Sequence, residues 1–377
     1  MFNKKNTIYI IIIFLAMILT VLVIGYLMIT SYLSKVQFDT GVQTTEIEDV
    51  QEKVLTDEEI LHELLADEPI SDESDSAQDE IIALEEQMAA QLAQNDNITN
   101  QTENTAEINT SAETTTDDIF NILVIGCDSR KKDGVGRADA MILFSVNEKT
   151  EKIHMSSIMR DSYVSIPGKG NNRINAAFAF GGGSLLLDTI ETNFDADVDK
   201  YVSFDFYSFV DVVDSIGGID IEVTEAEIPV LNGYVRELNK LNSRADDTYF
   251  VTDSGLRHLN GTQALGYARI RYVGDGDFER TNRQRTVITK VFEKAKTLNI
   301  LEINDLLNTF LPQVKTNLTQ EEILSLLLKA LEYLQYDLES HRLPVDDSWK
   351  YMRVNGMSVL GIDLEKNQKA LKEFISQ

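Results

Sequence analysis

Apolar residues occupy this chain in two regimes. The run TIYIIIIFLAMILTVLVIGYLMITSYL, from Thr7 to Leu33, carries no charge and exceeds the roughly 20 apolar residues that span a bilayer as a helix. It predicts one membrane helix, and an uncleaved one, because the run is too long for a signal peptide and no small-x-small cleavage site follows it. From Ile119 onward, short apolar runs alternate with stretches of helical period. IFNILVIG, AMILFSVN, KIHMSSI, KYVSF and IDIEV predict strands, several nearly continuous in apolar residues as in a sheet covered on both faces. Helices are predicted over 183–194, 206–216, 261–268, 281–298, 303–311, 320–336 and 364–375. Strands interleaved with helices over about 260 residues predict an α/β fold, a three-layer sandwich with a central mixed sheet, in one domain over 119–377.

Charge separates these regimes. Of the formal net charge of −28, most lies in 36–118, where 24 acidic residues meet a single lysine, Lys53. Two amphipathic stretches sit inside it, one with Thr56 and Glu59 at capping-box spacing and one with Ile81, Leu84, Met88 and Leu92 on a helical face. Isolated helices of that length are marginal in water, and 95–116 is almost all Asn, Thr, Gln and Glu, so 36–118 is expected to be a largely disordered tether. As a coil of about 80 residues it would reach roughly 50 Å. Lys4 and Lys5 precede the membrane helix, so the positive-inside bias leaves residues 1–6 in the cytoplasm and the domain outside the cell. The one cysteine, Cys127, cannot form an internal disulfide, so an ordinary hydrophobic core must hold the domain. That placement, and the overall acidity, exclude nucleic acid as a partner.

Against this background LGYARIRYVGDGDFERTNRQR, residues 265–285, concentrates five arginines. The apolar stripe Val287, Ile288, Val291, Phe292 and Ala295, extended back along the helix, reaches Gln284 and Arg280. Those two would head a buried face near a helix N-terminus, where an anion would satisfy them. Arg285 falls on the opposite, solvent side and Arg283 between the two. Arg269 and Arg271 stand at the end of the preceding helix, before a Gly-rich turn carrying Asp275, Asp277 and Glu279. The cluster reads either as surface charges pairing among themselves or as an anion clamp of forked donors. Earlier, NILVIGCDSR puts Asp128 at the end of one strand and GVGRADAMILF puts Asp139 at the start of the next. Acids so placed suit a hard divalent cation, though both stretches are also ordinary turn sequences. Arg160 and Asp161 follow a third strand, as a local ion pair or as one more clamp at the same sheet edge.

Six ordered motifs, NILVIGCDSR, GRADAMILFSVNEKTEKIHMSSIMRDSYVSIPG, RINAAFAFGG, VDVVDSIGGIDIEV, LNGTQALGYARIR and GDFERTNRQR, resemble the LytR-CpsA-Psr family of bacterial cell-envelope proteins. The resemblance is close from 119 to about 298 and looser beyond. It implies a membrane-anchored phosphotransferase that takes a glycopolymer, such as teichoic acid or capsular polysaccharide, from a polyprenyl-pyrophosphate carrier and links it to peptidoglycan by a phosphodiester. It also implies an apolar tunnel for the polyprenyl chain, which INAAFAF and FDFYSFVDVV have the residues to line. By position, Asp128 and Asp139 match the family's Mg²⁺ (or Mn²⁺) residues; Arg160, Arg269, Arg271, Arg280 and Gln284 match the pyrophosphate-binding ones; Asp277 matches the proposed general base. Met159 stands where the family has proline and Cys127 where it more often has serine. Two other functions fit the same chain: a polyprenyl-pyrophosphate hydrolase using water as acceptor, and a non-catalytic surface regulator or scaffold acting through the acidic amphipathic stretches.

Overall fold

The computed structural model describes residues 31–39, 119–128, 137–271, 273–274 and 276–377. The strands are β1 (Gln37–Phe38), β2 (Ile119–Asp128), β3 (Arg137–Asn147), β4 (Lys152–Ile158), β5 (Ser162–Ile166), β6 (Gly170–Arg173), β7 (Tyr201–Asp205), β8 (Ile219–Val223), β9 (Gly255–Leu259), β10 (Lys315–Thr316), β11 (Asp337–Leu343), β12 (Trp349–Val354) and β13 (Met357–Ile362). The helices are α1 (Ala176–Phe194), α2 (Phe206–Ser215), α3 (Glu227–Leu241), α4 (Gly261–Arg269), α5 (Gly276–Ala295), α6 (Ile300–Phe310), α7 (Gln320–Tyr333) and α8 (Leu364–Ile375).

Seven strands form one mixed sheet in the order β1-β10-β7-β2-β3-β4-β11. Its apolar runs are continuous because both faces are covered. Leu123, Ile125, Met141, Leu143 and Ile158 bury against Leu186, Ile190 and Phe194 of α1 and Leu371 of α8. On the other face Phe120, Ile122 and Val202 meet Leu307 of α6 and Ile323, Leu326 and Leu327 of α7, while Phe144, Val146 and Ile153 meet Phe292 of α5. This is the expected α/β sandwich around a central mixed sheet. Strands β12-β13-β5-β6 make a second sheet, joined edge to edge where Leu360 of β13 pairs with Ser162 of β5. A third unit, the antiparallel pair β8-β9, whose strands are joined through α3, with α2 and α4, encloses its own apolar cluster around Val230, Val235, Leu259 and Ile270.

Three boundaries differ from expectation. The helix expected from 183 starts at Ala176 and is kinked at Gly181 and Gly182, with φ of +64° at Gly182, a conformation that favours glycine. The helix expected from 281 starts at Gly276, so Asp277 and Arg280 sit on its first turns rather than in a loop. The tether expected from Val36 instead begins as part of the fold. Val36 is buried against Leu311, Leu318 and Ile323, and Gln37 and Phe38 pair in parallel with Lys315 and Thr316. Among the described residues no helix is long and apolar enough to cross a membrane. The stretch 7–30 of the expected membrane helix, and the amphipathic stretches between 55 and 94, lie outside the described residues.

One end of the large sheet gathers the charged motifs. β2 finishes there, β3 starts there, and β4 finishes there just before Arg160, since β3 is antiparallel to both neighbours.

Candidate active site

The site is built on a β-bulge. Gly126 pairs with Ala140 and Cys127 with Ala138, which leaves Asp139 as an extra residue on β3 with no partner on β2. A bulge re-aims a side chain from the regular alternation. The Asp139 carboxylate accepts a hydrogen bond from Arg160 Nη1 at 2.8 Å. Asp128 ends β2 on the neighbouring strand, paired with Arg137 two residues before Asp139. Arg160 follows β4, and Asp161 beside it accepts from Arg173 Nη1 at 3.3 Å.

The start of α5 closes the other side. Phe278 is buried with Met159 and Leu360 and packs on the Trp349 ring at a centroid distance of 4.4 Å. This apolar contact pins the first helical turn beside the end of β4. Asp277 and Arg280, flanking Phe278 in the sequence, form an ion pair of 2.5 Å, with Arg280 only 4 % exposed. Arg160, Arg271, Asp277, Asp161 and Arg173 line one cavity of about 340 Å³. Its remaining wall is Met159 together with Tyr351 and the stretch from Gly356 to Leu360, which leads into β13; sequence reasoning did not single out Tyr351 or that stretch. Those residues lie in the part of the chain where the motif pattern is looser, and carry no charge to mark them. Arg173 opens RINAAFAF and was available as a signal.

Charge in this cavity is unbalanced. Burial works against the Asp139 carboxylate, but Arg160, Arg280 and Arg271 outweigh it and hold Asp139 below the usual carboxylate range. For Arg160, burial is likewise outweighed, by Asp139, Asp161 and Asp277, and its charge is reinforced. Arg280 goes the other way. Burial, and then repulsion from Arg160, push its guanidinium down to about 10 despite Asp277. Arg160 Nε, Arg280 Nε and Asp277 Oδ2 are buried with no hydrogen-bond partner among the described residues. Buried donors without acceptors are costly, and two of them, on Arg160 in the cavity wall and on Arg280 paired to Asp277 of that wall, are what an anion with several oxygens would satisfy.

The structure therefore brings together Asp139, Arg160, Arg271, Arg280 and Asp277. Gln284 lies one turn after Arg280 and is half-buried. Arg269 is not among the residues lining the cavity. It pairs with Glu237 of α3 at 3.0 Å and lies over the rings of Tyr234 and Phe206. Arg283, expected between the buried and solvent faces, is a structural cross-brace: its guanidinium binds Glu227 at 2.7 Å and the carbonyls of Ile270 and Val273. Arg285 is a correction. It was expected on the solvent face, but it is half-buried, and burial followed by the nearby Arg342 pushes it down to about 10. Seven residues after Phe278, it shares that residue's side of α5, which faces β11 rather than water.

Among the described residues no three His, Cys, Asp or Glu side chains stand close enough to hold a metal. A hard cation that takes one or two carboxylates and completes its shell with phosphate oxygens and water needs less. Asp139, re-aimed by the bulge, supplies one such carboxylate, and Asp128 occupies the adjoining strand end in sequence and pairing.

The LytR_cpsA_psr family model matches residues 83–375. A polyisoprenyl-teichoic acid–peptidoglycan teichoic acid transferase, TagU of Bacillus licheniformis, is 37% identical over 209 residues, 55% of this chain and 62% of that protein. TagU of Bacillus cereus is 33% identical over 240 residues, 61% of this chain and 72% of its own length. A structure of TagT bound to LIIa-WTA superposes with a TM-score of 0.55 at 28% identity, covering 69% of this chain and 90% of that one. A structure of TagT with bound octaprenyl pyrophosphate lipid superposes at 0.51 with 25% identity, covering 70% and 94%.

Proposed function

Since the chain belongs to the LytR_cpsA_psr family, we propose that it transfers a glycopolymer from a polyprenyl-pyrophosphate carrier to peptidoglycan, at the cavity lined by Arg160, Arg271 and Asp277, with Arg280 paired to Asp277. The observation that carries this reading is the set of three guanidiniums, Arg160, Arg173 and Arg271, in the wall of one cavity of about 340 Å³, with Arg280 paired to Asp277 of the same wall and buried N–H groups of Arg160 and Arg280 without a hydrogen-bond partner among the described residues. The relatives named as teichoic acid transferases and the TagT structure holding a polyprenyl pyrophosphate support the same substrate class.

In the step proposed, a sugar hydroxyl of the acceptor attacks the phosphorus that carries the glycan. The new P–O bond forms as the bond to the bridging oxygen breaks, and polyprenyl phosphate leaves with the electron pair. Negative charge grows on the transferred and leaving phosphates, so fixed cations aimed at them lower the barrier. Arg160 is oriented by Asp139 and Asp161, and Arg280 by Asp277; both therefore meet the phosphates without reorganisation. Asp277 Oδ1 is held by Arg280, while Oδ2, which has no described partner, is the atom that would accept the hydroxyl proton. A Mg²⁺ or Mn²⁺ ion held by Asp139 and Asp128 would add charge neutralisation at the phosphates. Arg269 would act from behind, through the Glu237 pair, or turn toward the substrate on binding. Residues 7–30 would anchor the chain in the cell membrane by a single pass, N-terminus cytoplasmic and domain outside, while Tyr32 and Leu33, at the end of the expected membrane run, pack on the domain instead.

The test is transfer from a lipid-linked glycan to peptidoglycan by the purified full-length protein. Arg280→Ala and Asp277→Ala are expected to abolish linked product, and activity retained by both would remove the site assignment. Glycan released but never linked would identify a hydrolase. A scaffold would instead tolerate Asp277→Ala in cells and fail when residues 40–115 are deleted.

A further inference from the structure

The sheet has two ends, and the proposed site occupies only one. Asp139 and Asn147 lie eight residues apart on β3, so at about 3.4 Å per residue the opposite end is about 27 Å from the site. At that far end four large aliphatic side chains are exposed, while a smaller exposed group, Leu241, Tyr249 and Leu256, belongs to the β8-β9 unit. Helix α5 starts in the cavity and runs the length of the sheet, and its Phe292 packs on Val146, Ile153 and Tyr336. Lys296 then donates to the Tyr336 carbonyl, and α6 begins four residues later with Ile300 and Leu301, 76% and 71% exposed. On α7, Lys329 and Tyr333 both bond Glu148 in the β3–β4 turn, which places Leu328 and Leu331, 72% and 59% exposed, at this same end. Four large aliphatic side chains therefore stand in water there.

The chain itself enters at that end. Tyr32 bonds Asn304 and Lys35 bonds Asn308, so residues 32 to 35 run beside α6 in its own direction, with a helical turn at 31–33. A reversal at 34–36 then feeds β1 back along the sheet edge. Toward the N-terminus the described segment ends at Ser31, next to Tyr32, whose partner Asn304 lies one helical turn beyond Ile300 and Leu301, and the uncharged run 7–30 precedes it in the sequence.

From this arrangement we infer that the far end of the sheet, through Ile300, Leu301, Leu328 and Leu331, rests in the outer face of the lipid bilayer, with the pyrophosphate site turned away from it. The inference builds on the proposed membrane anchor. The occupant is lipid because the described chain begins at Ser31 beside the same helix that carries Ile300 and Leu301, directly after the uncharged run 7–30 of the proposed anchor in the sequence. Glu148, Glu302, Lys149 and Lys296 mix both charge signs at this end, so apolar burial rather than headgroup attraction holds the contact.

The test uses the full-length protein in phosphatidylethanolamine–phosphatidylglycerol vesicles, with single cysteines carrying an environment-sensitive fluorophore. Cys127 is buried and stays unlabelled. Probes at Leu301→Cys and Leu331→Cys are expected to lose most of their emission to lipid-borne nitroxide quenchers, unchanged in high salt, while a probe at Ser358→Cys on the cavity wall keeps its emission. Quenching at 358 and not at 301 or 331 would reverse the orientation and overturn the inference. No quenching at any position in protein that still floats with the vesicles would also overturn it, leaving the anchor intact and the domain held off the surface. Protein that does not float would overturn the anchor, and the inference with it.

Discussion

Arg280 is the residue where function and stability pull apart. It is buried, it faces Arg160 and Arg271, and its guanidinium is destabilised to about 10. Replacing it with leucine is expected to abolish transfer while raising the melting temperature by about 2–4 °C, because the repulsion and part of the desolvation disappear. Thermal unfolding of the substrate-free protein beside a transfer assay checks both halves; a fall in melting temperature would show that the Asp277 pair outweighs the repulsion. A second residue-scale prediction concerns His341, which stacks on Phe374 at 3.9 Å and bonds Ser156. Burial, then Arg285 and His154, push it down to about 4 from 6.5. A base whose folded value is depressed stabilises the fold above its unfolded value, and that stability is lost as pH falls below 6.5 toward 4. Between pH 7 and 5 this amounts to about 2 kcal/mol, to be read as a steeper loss of stability in wild type than in His341→Phe. The helix phase in the sequence was enough to find Arg280. It misplaced Arg285 because the strand that covers it, β11, lies in a stretch whose apolar pattern predicts no strand.

Elements were legible where one force dominated. β2, β3, β4 and β7 are apolar runs covered on two faces and β8 alternates buried and exposed residues, and the structure has them where the pattern put them. α3 was not predicted because EIPVLNGYVRELNKL carries Pro229 and Gly233. Pro229 falls in the first helical turn, where its missing N–H removes no helical bond, so the helix survives it. β5, β6, β12 and β13 are short, form two local antiparallel pairs with little apolar alternation to mark them, and become one sheet only through the long-range pairing of β13 with β5. Helix α1 depends on glycine for a different reason. A Cβ on Gly183 would come within 2.4 Å of the buried Tyr201 ring, so Gly183→Ala is expected to cost about 1–3 kcal/mol, measured by chemical denaturation. An unchanged midpoint would mean that the kink at Gly181 and Gly182 absorbs the added methyl.

For the whole molecule, the acidic segment changes role. Read from sequence it joins an anchor to a domain; with Asp39 and Ile119 both fixed to one sheet, it joins two points of the same body. β1 and β2 are three strand spacings apart, about 14 Å, so a connector of about ten residues would span the gap. Replacing residues 43–115 with such a Gly/Ser connector is expected to leave a folded chain whose melting temperature stays within about 3 °C. Loss of the cooperative transition would show that the acidic segment contributes to the fold itself. Nothing in composition could have disclosed this arrangement, because β1 is two residues long and is recognisable only by what it pairs with.

That pairing also sets an order of assembly. Gln37 finds its partner at Lys315, 278 residues later in the chain, so the first strand to leave the ribosome is among the last to be seated. Until it is, β10 presents an open edge, the surface most prone to pairing with another molecule. The entropy of closing so long a loop is offset only when the rest of the sheet already stands as a template. A chain held at its N-terminus from the start of synthesis shortens that search, since the strand waits beside the place where the sheet is completed.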